Sequence, residues 1–152
     1  MRVSVGPVIV ARMDLQRTFV IVKPDAVERG LTGRILDRYL DKGLRIIALE
    51  QRTIDADLAQ VHYAEHIGRP YFDDLETFIT SGPLVAVVLE GERAIEVVRT
   101  LNGVTDSAVA APGTIRGDFS TSNRLNLVHA SDAPESAARE IATWFPDLGT
   151  TA

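Results

Sequence analysis

Thr18-Phe19-Val20-Ile21-Val22, followed by Lys23-Pro24-Asp25, is the stretch on which the fold turns. An unbroken β-prone run of this length describes a buried strand, and the Lys-Pro-Asp that follows stops it in a turn. Downstream, Ile35, Leu36, Tyr39 and Leu40 recur at helical spacing, with Thr32 placed to cap that helix and Gly43 to end it. Residues 44–53 read as a second strand. Asp55 opens a helix through about His66, and beyond Pro70 a short helix runs from about Asp73 to Thr80. Ser81-Gly82-Pro83 makes a turn into a strand over residues 84–89, and Gly91 leads into a helix ended by Asn102-Gly103. Residues 104–118 show no period. They read as a long irregular loop, of the kind that tends to be functional inside a compact domain. Residues 125–129 form a short last strand, and Ser131 or Asp132 caps a final helix that runs to about Phe145.

The order is β-α-β-α-α-β-α-loop-β-α. Setting aside the inserted helix pair and the final helix leaves βαββαβ. This predicts an α+β, ferredoxin-like sandwich. Its features are an antiparallel four-stranded sheet, an inserted helix pair, a long loop before the last strand and a C-terminal helix.

The chain has 152 residues, the length of one domain. Residues 1–12 are expected to be a loosely ordered N-terminal extension, because Met13 offers an alternative start, and residues 13–152 a single domain. With no cysteine, disulfides and thiolate metal sites are excluded, which fits a cytoplasmic protein. A net charge of -5 argues against stable binding along a nucleic-acid backbone. No apolar run approaches the roughly 18–20 residues that span a bilayer, so no membrane partner is expected. A small anion in a local basic pocket remains compatible with this balance.

Candidate chemistry concentrates near the end of the chain. His129 follows Asn126-Leu127-Val128, where a strand gives way to a helix. A lone histidine in such a place is more often structural, but its neighbours change that reading. Arg99 ends the preceding helix, and Thr105, Thr114 and Arg116 lie in the long loop. The guanidinium fork matches phosphate oxygens bidentately. Gly113 and Gly117 flank Arg116 closely enough to let the backbone approach a ligand. Lys23, one of two lysines, could alone be a strand-end residue reaching water. Neither glycine-rich phosphate fingerprint is present, so side chains must hold any phosphate. His62 and His66 stand four apart and could chelate a metal from one helix face, but no third ligand accompanies them. No metal ligand is therefore assigned.

The chain resembles nucleoside diphosphate kinases from Arg17 to about Phe145. The resemblance rests on Arg17-Thr18-Phe19-Val20-Ile21-Val22-Lys23-Pro24-Asp25-Ala26-Val27, Arg69-Pro70-Tyr71-Phe72 and Thr80-Ser81-Gly82-Pro83. It rests also on Ala111-Pro112-Gly113-Thr114-Ile115-Arg116-Gly117-Asp118-Phe119 and Asn126-Leu127-Val128-His129-Ala130-Ser131-Asp132. The resemblance implies transfer of the terminal phosphoryl group of a nucleoside triphosphate to a nucleoside diphosphate, by a ping-pong route through a phosphohistidine at His129. A neutral imidazole is nucleophilic near neutral pH without a strong base. It further implies that Lys23 and Asn126 meet the sugar hydroxyls and the transferring phosphate, and that Arg99, Thr105, Arg116 and His66 hold the phosphates. Tyr63 would lie beside the transferring group, Glu140 would orient the imidazole through its other nitrogen, and Ser131 would sit next to the nucleophile. Tyr71 would stack on the base, and Mg2+ would arrive with the nucleotide phosphates.

A homo-hexamer is the expected assembly, with a homo-tetramer as the alternative. Several positions depart from the family pattern: Tyr71 where Phe is usual, Ala130 where Gly is usual, and Asp106-Ser107 where Asn/Asp-Pro is commoner. Asn123 falls where a smaller apolar residue often meets the base's second face. The competing reading is an inactive nucleotide-binding regulatory module on the same fold.

Overall fold

A computed structural model describes residues 15–148. The expected extension over residues 1–12 therefore lies outside the described residues. Four strands form one antiparallel sheet: β1 (Leu15–Val22), β2 (Arg45–Arg52), β3 (Leu84–Glu92) and β4 (Val128–Ala130), in the order β2-β3-β1-β4. Seven helices accompany them among the described residues. They are α1 (Pro24–Glu28), α2 (Thr32–Asp41), α3 (Ala56–His62), α4 (Phe72–Ile79), α5 (Ala94–Asn102), α6 (Ile115–Phe119) and α7 (Pro134–Trp144). The fold is the α+β, ferredoxin-like sandwich the sequence predicts.

The continuous apolar runs of β1 and β3 follow from their central places, because both faces of each strand are covered. Val20, Val22, Val85, Val87 and Leu89 pack on one side with Ile35 and Tyr39 of α2 and Ala94 and Val98 of α5. Phe19, Ile21, Ala86 and Val88 face the other way, towards Ala59 of α3, Ile79 of α4 and Trp144 of α7. The inserted helix pair and the C-terminal helix thus close the sheet face that α2 and α5 leave open. Burying a side chain such as Ile21 or Trp144 stabilises the fold by about 1.5–3 kcal/mol or more.

Several boundaries differ from the sequence reading, each for a local reason. Lys23-Pro24-Asp25 opens a one-turn helix, with Pro24 in the first turn, where its missing N–H is no loss. Leu31, not Thr32, precedes α2, and Thr32 is already helical. α3 stops at His62, and a separate 3-10 turn covers Ala64–His66. β3 runs on through Gly91 to Glu92 because Leu15 to Val22 pair with Glu92 to Val85. The long loop is not wholly irregular: Thr114 Oγ1 accepts the Gly117 N–H at 3.0 Å and starts α6. β4 begins at Val128 because Leu127 is left-handed, at φ 76°, and cannot extend the ladder. At α7 neither Ser131 nor Asp132 caps. Ser136 Oγ instead accepts the backbone N–H groups of Asp132 and Ala133.

Candidate functional site

Antiparallel pairing sets His129 opposite Ile21 and so on the sheet face carrying Phe19 and Ile21, beneath α3 and α7. There Glu140 of α7 meets the ring: His129 Nε2 and Glu140 Oε2 are 2.6 Å apart. A carboxylate only accepts, so the shared proton sits on Nε2 and the lone pair is on Nδ1. The other carboxylate oxygen accepts from Ser131 Oγ at 2.5 Å. Burial alone would raise the Glu140 carboxyl. The His129 bond, the His129 charge and the Ser131 hydroxyl outweigh it and hold the group below its ordinary value.

His62 lies against the nucleophile candidate, with ring centroids 4.6 Å apart and planes at 80°. Trp144 Nε1, which can only donate, reaches His62 Nδ1 at 3.1 Å, so a neutral His62 carries its proton on Nε2. Burial, followed by the neighbouring His129, lowers His62 to about 3. It is neutral at physiological pH, and its 3.6 Å approach to Glu140 Oε2 is not an ion pair. The sequence reading had given His62 only a possible chelating role with His66. In the structure the Nδ1 atoms of the two rings have different partners, Trp144 for His62 and Tyr71 for His66. The metal-capable cluster it does form is His62, His129 and Glu140, whose donor atoms lie within 4.8 Å and are already engaged with one another or with Trp144. The signal was available: Ala59, His62 and Tyr63 stand at i, i+3 and i+4 on the inward face of α3.

Next to His129 opens a pocket of about 370 Å3, lined also by Lys23, Arg99, Thr105, Arg116 and Asn126. A larger hollow of about 740 Å3 shares Arg99 with it but does not reach His129. No carboxylate lines the smaller pocket among the described residues. Lys23 Nζ donates to Asn126 Oδ1 at 2.8 Å, and Asn126 Nδ2 donates to the Thr105 carbonyl at 3.1 Å. Burial, then the Arg116 charge, brings Lys23 down to about 8, although Asp25 acts in the opposite sense.

Arg116 is held by three backbone carbonyls: Asn126 at 3.1 Å, Gly103 at 2.8 Å and Val128 at 2.6 Å. Those bonds staple α6 and the long loop to β4, and two of the five guanidinium N–H groups remain for a ligand. Leu127, between these anchors, has its N–H on Asp25 Oδ2 at 3.2 Å and its carbonyl on the Lys23 N–H at 2.8 Å. A left-handed leucine costs about 1–3 kcal/mol, and these contacts hold it there. The glycine beside Arg116 has a different purpose from the one its sequence suggests. A Cβ on Gly117 would sit 2.0 Å from the Ala111 carbonyl oxygen, so the residue makes room for the loop and not for a ligand.

The remaining candidates form an arm reaching away from His129. Ring follows ring: His62 to Tyr63 at 4.6 Å, Tyr63 to His66 at 5.9 Å, and His66 to Tyr71 at 5.6 Å between centroids. Burial, with Glu140 adding, raises Tyr63 well above an ordinary phenol, so its hydroxyl stays protonated. Tyr71 is 44% exposed, and its hydroxyl lies 2.5 Å from His66 Nδ1. Among the described residues, no helix is long and apolar enough to cross a membrane.

The arrangement offers one imidazole with a free nucleophilic nitrogen, a cationic pocket beside it and an aromatic arm that starts buried at Tyr63 and ends exposed at Tyr71. Comparison with known proteins points the same way. The family model described as "Nucleoside diphosphate kinase" matches residues 16–149. A nucleoside diphosphate kinase of a Nocardioides species is 64% identical over 132 residues, covering 87% of this chain and 98% of that protein. One from Cutibacterium acnes is 63% identical over 135 residues, covering 89% and 98%. Among solved structures, the Halobacterium salinarum nucleoside diphosphate kinase in complex with CDP superposes with a TM-score of 0.84 at 51% identity, covering 87% of this chain and 88% of that one. A Babesia bovis family member gives 0.85 at 46%, covering 90% and 93%.

Proposed function

The chain belongs to the nucleoside diphosphate kinase family and is an enzyme moving phosphoryl groups between nucleoside triphosphates and diphosphates; on that premise we propose that His129 carries the group in transit. The single observation that supports this most is the split imidazole. Nε2 is bound to buried Glu140 at 2.6 Å, while the ring lines a pocket that also holds Lys23, Arg99 and Arg116.

In the first half-reaction the Nδ1 lone pair attacks the terminal phosphorus. The N–P bond forms as the bond to the bridging oxygen breaks, and the nucleoside diphosphate leaves with that oxygen's electrons. The Nε2–H stays shared with Glu140, which balances the charge that develops on the ring. In the second half, a terminal oxygen of another nucleoside diphosphate attacks the same phosphorus and the N–P bond breaks. The protein's part is positioning and charge stabilisation. Lys23, Arg99, Arg116, Thr105 and His66 hold phosphate oxygens, and Asn126 aims Lys23 and meets the sugar. The neutral Tyr63 hydroxyl lies beside the transferring group, and Ser131 fixes Glu140. Tyr71 stacks on the base, and stacking tolerates base identity. Mg2+ would enter as part of the nucleotide substrate and would offset the negative charge of its phosphates. Among the described residues the pocket lining has no carboxylate to form a cage of its own, which is compatible with that.

The same reading places the enzyme in the cytoplasm, where its nucleotides are made and used, and in a homo-hexamer, with a homo-tetramer as the alternative. Exposed Val104 and Val109 of the long loop and Leu49 of edge strand β2 support self-association, and light scattering separates the two sizes. Residues 13–152 are proposed to act as one domain.

The test of the carrier is direct. Wild-type protein incubated with terminally labelled ATP should acquire acid-labile, base-stable label. His129→Ala should lose both label and nucleotide exchange. Exchange at the normal rate in that variant would remove His129 from the role, and label-free wild type would favour a regulatory module.

A further inference from the structure

The Tyr71 hydroxyl has a use that an aromatic ring alone cannot supply. It lies 2.5 Å from Nδ1 of His66, with the two rings inclined at 60°. Backbone bonds shape the chain between them: Arg69 N–H reaches the His66 carbonyl at 3.0 Å, and Phe72 N–H reaches the Arg69 carbonyl at 3.0 Å. The geometry points to the Tyr71 hydroxyl as a positioning group for His66, joining the residue that stacks on the base to the one that grips the phosphates. This rests on the roles proposed above for those two residues.

A phenol donates readily to an imine nitrogen, so Nδ1 of neutral His66 accepts and its proton resides on Nε2. The ring then presents an N–H, not a lone pair, on the side away from Tyr71. That is the state an anionic phosphate needs. The bond also restricts the broad ring torsion of histidine. Base stacking orders Tyr71, and Tyr71 in turn orders His66, so base and phosphate contacts reinforce each other.

The decisive experiment is a double-mutant cycle on ADP binding with Tyr71→Phe, His66→Ala and the double variant, read by calorimetry beside a thermal-melt control. Tyr71→Phe keeps the stacking ring. It should weaken ADP by about three- to tenfold, the range for losing one hydrogen bond. In the His66→Ala background the same change should have almost no effect, since contacting residues that act as a unit are not additive. Nitrogen-15 spectra of ligand-free protein at alkaline pH should show Nε2–H for His66 in the wild type and a mixture of tautomers in Tyr71→Phe.

Equal losses in both backgrounds, unchanged ADP affinity in Tyr71→Phe, or a wild-type His66 protonated on Nδ1 would overturn the inference. The spectra need no nucleotide. If His129→Ala retained exchange, the proposed carrier would fall while the hydroxyl–imidazole bond was still judged on its own.

Discussion

The two ends of the proposed nucleotide site are built on different principles. At the transfer end, Lys23, Asn126 and Arg116 are 9%, 4% and 9% exposed, and each is tied by hydrogen bonds to the others or to backbone around β4. At the base end, His66 and Tyr71 sit on the connection between α3 and α4, Tyr71 is 44% exposed, and the two side chains bond to each other. The contrast teaches where rigidity is needed. Phosphoryl transfer depends on placement within fractions of an ångström, so its groups are embedded in the sheet and the stapled loop. Recognition of the base by stacking, the role proposed for Tyr71, tolerates variation, and that residue rides on an exposed turn.

Substitutions that loosen the rigid end should therefore do more harm than substitutions at the soft one. The largest effect after loss of His129 itself belongs to Arg116→Ala. It removes a proposed phosphate ligand and breaks three hydrogen bonds to backbone carbonyls, two of them buried, although the Asn126 carbonyl keeps the Val128 N–H. Turnover should fall roughly 10²–10³-fold, as for removal of one transition-state donor. Stability should fall by about 2–4 kcal/mol from lost charged hydrogen bonds, measured by steady-state kinetics and denaturant melts. A stable Arg116→Ala protein would mean that the loop is held by other contacts.

Glu140→Gln keeps the shape but removes the charge that balances the ring. It should lower turnover by about 10–100-fold, in the range seen when the outer partner of a functional imidazole is lost. Nucleotide affinity should change less than turnover. Comparable losses in both would place Glu140 in binding instead.

Titration of Lys23 gives a smaller and graded effect. Its value near 8, set by burial and Arg116, means that it is charged below that pH and loses its charge above. kcat/KM should accordingly fall as pH rises through about 8, by up to about tenfold per unit. A Lys23→Gln variant should lack this limb. Persistence of the limb in Lys23→Gln would assign it to another group. Tyr71→Phe, at the soft end, is expected to be the mildest of the set.

Much of this division could be read along the chain, and some could not. The runs at 18–22 and 84–89 announced central strands because both of their faces are covered. The Lys23 and His129 segments carried enough family pattern to be recognised. One-turn helices α1 and α6 were missed because five residues hold too little period, and their stability comes from Pro24 and from the Thr114 cap. The place of His62 is not legible in the sequence because its neutrality beside the proposed nucleophile is created by burial against Trp144 and His129, residues far away in sequence. Arg116 was seen as a ligand only, and its three bonds to carbonyls exist because the loop folds back on β4.

The sequence by itself determined the strand order and the longer helices, the acidic balance, the lack of cysteine and the family pattern that nominates the candidate reactive groups, since these depend on residue type and local spacing. Tertiary structure alone decided which nitrogen of His129 is left free, how far Lys23 and His62 are shifted, and that Tyr71 reaches His66. Those properties depend on distances and burial between segments far apart along the chain, and only the packed sheet and its helices bring them together.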